Sequence, residues 1–92
     1  MAFMVGEVNV WVYYSREDRT YYCTCFRELG RDRHTFWGEN SDPVALLTVG
    51  RYSEKKFRHL ESIAERYVSE KSPSTDVNEV CRSVADFVTS SL

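Results

Sequence analysis

Between Glu7 and Tyr14 the residues alternate, with Val8, Val10, Val12 and Tyr14 on one side and Glu7, Asn9, Trp11 and Tyr13 on the other. A period of two in β-branched and aromatic residues is the pattern of a strand with two unlike faces. "RTYYCTCF", Arg19 to Phe26, has the same propensity, and the charged connector "SRED" (Ser15–Asp18) joins the two runs into an expected antiparallel hairpin with an exposed tip. Beyond "FRELGRDRH", which is expected to turn at Gly30, "HTFW" (His34–Trp37) reads as a short third strand. "GENSDP" after it reads as a turn.

The periodicity then changes. In "DPVALLTVG" Asp42 and Pro43 stand where an N-cap and a first helical residue would, and Gly50 follows the apolar run. A short helix is therefore expected over Val44–Val49, with a buried strand as the alternative. Ser53 precedes "EKKFRHLESIAERYVSEK", in which Phe57, Leu60, Ala64, Tyr67 and Val68 recur at helical spacing until Lys71, Ser72 and Pro73 end it. Asp76 opens a last helix, with Glu79 three residues on as in a capping box and Val77, Val80, Cys81, Val84, Phe87 and Val88 facing inward. The expected fold class is α+β: an N-terminal antiparallel β-hairpin or three-stranded meander packed against two to three C-terminal α-helices, in a single domain over residues 1–92.

Composition narrows the function classes. The chain has 92 residues, 42% hydrophobic and 28% charged, which is the balance of a globular domain with a thin core. A net charge of -2 argues against a general nucleic-acid binder with a wholly basic surface, so any attraction to phosphate must be local. Six tyrosines, five phenylalanines and two tryptophans are many rings for so small a core, and some are expected at the surface. "MAFMVGEVNV" carries no visible secretory signal, no stretch is apolar enough to span a membrane, and three cysteines suit a reducing compartment.

Candidate chemistry is sparse. Cys23, Cys25, Cys81, His34 and His59 could supply metal ligands, but they form neither a C-x-x-C knuckle nor an H-x-x-x-H pair. No glycine-rich phosphate loop occurs, and nothing in the sequence places a histidine beside a thiol. No enzyme, cofactor or small-molecule substrate is expected.

Docking residues are the better candidates. All five basic residues of the first fifty are arginines, Arg16, Arg19, Arg27, Arg31 and Arg33, a side chain suited to bidentate contact with carboxylate or phosphate. Glu28 and Asp32 interleave with them, which favours a mixed-sign protein surface over a bare phosphate track. On the first long helix Lys55, Arg58 and Arg66 cluster opposite the apolar stripe, with Arg51 nearby, and Glu54, Glu61 and Glu65 collect on the flank. Glu54 and Arg58 would also form an ordinary i, i+4 pair. Trp11 and Tyr13 share a strand face, an aromatic platform if helices cover only the other side.

From "MAFMVGEVNVWVYYSREDRTYYCTCF" through "RYSEKKFRHLESIAERY" the chain resembles the small phage-encoded anti-CRISPR proteins, especially single-domain inhibitors of the type I-F surveillance complex. The likeness lies in length, layout and general sequence character. It implies a non-enzymatic phage protein acting in the host bacterial cytoplasm. Its expected partner is the multisubunit CRISPR-Cas surveillance complex, through protein subunits and, as in some such inhibitors, crRNA, with target DNA recognition blocked. The alternative is a small single-stranded nucleic-acid-binding or regulatory phage protein using the aromatic strand face and the arginines.

Overall fold

A computed structural model describes residues 2–5, 8–28, 38–70 and 76–92. Five strands precede two helices: β1 (Ala2–Val5), β2 (Val8–Ser15), β3 (Thr20–Glu28), β4 (Gly38–Asn40), β5 (Val44–Thr48), α1 (Glu54–Glu70) and α2 (Val77–Ser91). The sheet is antiparallel throughout, in the order β1-β2-β3-β4, with β5 also pairing with β3. This is the α+β architecture expected, with the β2–β3 hairpin at its centre and two C-terminal helices.

The hairpin register runs from Asn9↔Phe26 to Ser15↔Thr20. It places Val8, Val10 and Val12 beside Tyr21, Cys23 and Cys25 on one face, and all six are buried. Both helices supply the opposing layer: Leu60, Ile63, Ala64 and Tyr67 from α1, and Val77, Val80, Cys81, Val84, Ala85 and Val88 from α2. Of the helical stripes read from the sequence, Leu60, Ala64 and Tyr67 of α1 and Val77, Val80, Cys81, Val84 and Val88 of α2 point inward as expected, Phe57 and Phe87 lie half-buried at the margin, and the Val68 side chain lies outside what is described. Each fully buried aliphatic side chain contributes roughly 1.5–3 kcal/mol, so the valine row of β2 is a main source of stability.

Helix starts are secured by side chains. Ser53 Oγ accepts from Lys56 N at 3.3 Å, and Asp76 Oδ1 accepts from Glu79 N at 2.9 Å, each satisfying a donor that the helix cannot. The buried Tyr21 ring links layers as well as filling space. Its hydroxyl donates to the Ser53 carbonyl (2.9 Å) and accepts from the Ser53 N–H (3.0 Å), which ties β3 to the start of α1.

Three expectations change. Val44–Thr48 is a strand, not a short helix, because β3 has an edge over Thr20–Cys23 that this run pairs with, and a bulge there turns Leu46 into the core. Asp42 caps nothing at that point; its N–H donates to Asn78 Oδ1 at the start of α2. Gly38–Asn40, read as turn residues, form β4 by pairing with Phe26–Glu28. β1 was not foreseen and adds a strand beside Val8–Trp11. The expected third strand His34–Trp37, the turn at Gly30 and the Lys71–Pro73 stop lie outside the described residues.

Between β4 and β5, Ser41 supplies what a continuous strand would. Its N–H donates to the Cys25 carbonyl (2.7 Å) and its Oγ accepts from Cys25 N (2.8 Å), so both backbone groups of Cys25 are paired. Tyr21→Phe is expected to lower stability by about 1–2 kcal/mol in urea unfolding, because two Ser53 backbone groups lose their partner. Asp76→Ala is expected to cost about 1 kcal/mol by the same measurement, through loss of the α2 cap.

Candidate functional site

The pleat that buries the valines sends alternate side chains the other way, onto a face where no described helix packs. Trp11 stands opposite Thr24, Tyr13 opposite Tyr22 and Asn9 opposite Phe26. The rings form a row: Trp11 and Tyr13 have centroids 5.1 Å apart, and Tyr13 and Tyr22 stack at 5.8 Å. Trp11 is 48% exposed, although burial of large apolar rings is normally favourable. On its far side a shallow apolar cleft of about 550 Å³ is lined by Trp11, Thr24, Phe26, Asn40, Ser41 and Pro43.

Tyr22 is oriented by the hairpin tip, its hydroxyl donating to Asp18 Oδ2 at 2.8 Å. That hydrogen bond, with partial desolvation, holds its phenol above the ordinary tyrosine value of 10.0. Burial raises the Tyr13 phenol in the same direction.

The tip gathers cations that are distant in sequence. Arg19 adopts a left-handed backbone (φ 53°), and its carbonyl accepts from Val49 N (3.2 Å) and Gly50 N (3.0 Å). Gly50, at φ 77°, reverses the chain there, so Arg51 comes beside Arg19 around an open cleft of about 590 Å³. Arg16 shares the lining of an open cleft of about 380 Å³ with Trp11, Tyr13, Tyr14, Tyr52 and Phe57. None of Arg16, Arg19 and Arg51 makes an ion pair among the described residues, and all three are exposed.

Other expected site residues are differently placed. Arg58 forms the i, i+4 pair with Glu54 (2.7 Å), and Arg66 reaches Ser91 Oγ (3.4 Å) with its guanidinium 5.6 Å from the Phe87 ring centroid. Two cations of the expected basic edge are therefore engaged within the molecule, while Lys55 stays exposed near Lys56 and His59. Arg27 is a β3 residue paired with Glu39 of β4, across the strand from the ring row. Arg31, Asp32 and Arg33 lie outside the described residues, as does the side chain of Glu28.

The thiols are internal. Cys23 and Cys81 approach to 3.5 Å between sulfurs, and the Cys81 thiol donates to the Cys23 carbonyl at 3.3 Å. All three cysteines are free and fully buried. Hydrogen bonding to Cys81, reinforced by burial, raises the Cys23 and Cys25 thiols above the ordinary cysteine value. Among the described residues no group of three histidine, cysteine or acidic side chains is arranged to hold a metal ion. Among the same residues no helix is long and apolar enough to cross a membrane.

Hairpin pairing brings Tyr22 and Phe26, absent from the expected site residues, onto the face of Trp11 and Tyr13. The signal was present, since Tyr22, Thr24 and Phe26 share one parity in "RTYYCTCF". Tyr52 and the Arg19–Arg51 juxtaposition had no such signal, because they depend on β5 being a strand. No protein-family model, curated protein or solved structure matches this chain.

The Tyr22–Asp18 bond carries a pH signature. Asp18→Asn is expected to bring the Tyr22 phenol down toward 10.0 in an ultraviolet phenolate titration. A raised phenol pKa stabilises the fold below the unfolded value and is lost as pH rises through the folded one, so the wild type should lose this contribution only in the alkaline range.

Proposed function

We propose that this chain is a non-enzymatic docking protein that binds a multisubunit crRNA-guided surveillance complex of the type I-F class and blocks its recognition of target DNA. The docking part rests on one observation: a sheet face that no described helix covers carries a row of rings with Trp11 half-exposed, flanked at the hairpin tip by arginines that make no ion pair among the described residues. Aromatic residues and arginine are the side chains that dominate protein interfaces. The choice of target rests on the resemblance in sequence. In this reading Trp11 and Tyr13 anchor the contact, while Arg16, Arg19 and Arg51 pair with acidic residues of Cas subunits or with guide phosphates. Glu17 faces partner lysines.

The stacked Tyr13–Tyr22 pair favours a second reading, a small single-stranded nucleic-acid-binding phage protein. Base stacking on such rings is worth about 1–3 kcal/mol per base. Salt dependence separates the two, because a chain using several phosphate contacts binds free RNA with a log-log slope of about -0.7 per contact. A docking inhibitor shows little affinity for free RNA.

The test mixes the tagged protein with an assembled type I-F complex and follows co-elution and target-DNA binding. Stoichiometric co-elution with loss of DNA binding is expected, and normal DNA binding under excess protein overturns the reading. Trp11→Ala should weaken the association by about 30-fold or more while leaving the fold intact, since a central anchor is worth roughly 2 kcal/mol.

A further inference from the structure

Cys23 and Cys25 lie two residues apart on β3, so both thiols project from the face on which the helices pack. α2 brings Cys81 to the same layer, and all three cysteines are free and fully buried. Small apolar packing would explain their burial. The contacts between two of them are more specific than packing requires.

The Cys23 and Cys81 sulfurs are 3.5 Å apart. Each thiol also reaches the other residue's backbone: Cys81 Sγ lies 3.3 Å from the Cys23 carbonyl oxygen, and Cys23 Sγ lies 3.7 Å from that of Cys81. Strand and helix therefore approach closely at this pair. One helical turn earlier Asn78 Oδ1 accepts from the Asp42 N–H, which holds the start of α2 to the chain that follows β4. Cys25 is fixed differently, with both backbone groups paired to Ser41. A disulfide holds its sulfurs about 2.05 Å apart, so joining Cys23 to Cys81 needs an approach of about 1.5 Å. Rotation about the two Cα–Cβ bonds provides a movement of that size.

We propose that Cys23 and Cys81 are a redox modification site, closed to a reversible disulfide when peroxide reaches them during an opening of the core. Opening of α2 from the sheet exposes one thiol, whose thiolate attacks the O–O bond of hydrogen peroxide. That sulfur becomes a sulfenic acid, and the hydroxide released takes up the thiol's proton as water. Reclosure returns the second thiol to contact. Its sulfur attacks the sulfenyl sulfur, the S–S bond forms, the S–O bond breaks and a second water leaves with the second thiol proton. The two thiols lose two electrons and the peroxide gains them, and a dithiol reductant reverses the bond by exchange. The closed bond spans a sequence separation of 58, so it restricts the unfolded chain and opposes the opening through which the oxidant entered. Oxidation thus fastens the helical layer behind the ring face.

The test treats the full chain, dilute enough to keep molecules apart, with hydrogen peroxide, alkylates the remaining thiols and maps the bond by mass spectrometry. One intrachain bond from Cys23 to Cys81 is expected, with Cys25 alkylated. The thermal unfolding midpoint should rise by about 10 °C or more over the reduced chain, and dithiothreitol should reverse both changes. Cys25→Ala should form the same bond, with a similar rise over its own reduced form. In concentrated urea Cys81 closes loops to Cys23 and Cys25 that differ by only two residues, so both bonds should form in nearly equal amounts. The native chain should favour the Cys23 bond at least tenfold, and should lose its thiols more slowly than the denatured chain because they are buried.

An equal mixture of the two bonds in the native chain overturns the proposal, as does a bond from Cys25 alone, bonds only between molecules, or oxidation to sulfinic acid with no bond. A Cys23–Cys81 bond that leaves the unfolding midpoint unchanged or lowers it overturns the fastening role. Thiol loss as fast in the native chain as in urea overturns the route through core opening.

Discussion

The β2–β3 register is the constraint on which the rest depends. Pairing Ser15 with Thr20 and Asn9 with Phe26 aligns the two strands so that valines, Tyr21 and two cysteines share one face and Trp11, Tyr13, Tyr22 and Phe26 share the other. A slip of one residue would send Trp11 and Tyr13 into the helices and Val10 and Val12 into solvent. Burial of the valine face selects the register, and that selection creates the ring face as its complement.

The core tolerates this division because small, close-fitting groups lie where α2 crosses the sheet. Cys23 and Cys81 pack sulfur against sulfur at 3.5 Å, and Ala85 and Val84 follow on the same side of the helix. Their burial makes them packing groups in the folded state. Tyr21 then fastens α1 through both backbone groups of Ser53, and Ser41 closes the gap between β4 and β5. The sheet that carries the rings is therefore braced from behind. Neighbouring rings limit one another's rotamers, which lowers the ordering cost when a partner binds.

Electrostatics at the hairpin tip complements this scaffold. Asp18 is engaged by Tyr22, whereas Arg16, Arg19 and Arg51 make no ion pair among the described residues. A chain with net charge -2 thus presents a local concentration of arginine beside its exposed rings. Local charge of this kind governs orientation and association rate more than affinity. The helix cations, by contrast, are partly satisfied by Glu54 and by Phe87 and Ser91.

Local pattern determined much of this protein. Strand alternation in Val8–Tyr14, the apolar stripes of α1 and α2, and the caps at Ser53 and Asp76 are readable because each depends on neighbours within one or two turns of the chain. Tertiary structure decided what depends on a distant partner. Val44–Thr48 has the punctuation of a helix and becomes a strand because β3 presents an edge to it, and Arg51 reaches Arg19 only as a consequence. Likewise, alternation separated Trp11 and Tyr13 from the valines, but only packing of both helices on the valine side decided which face the described helices leave bare.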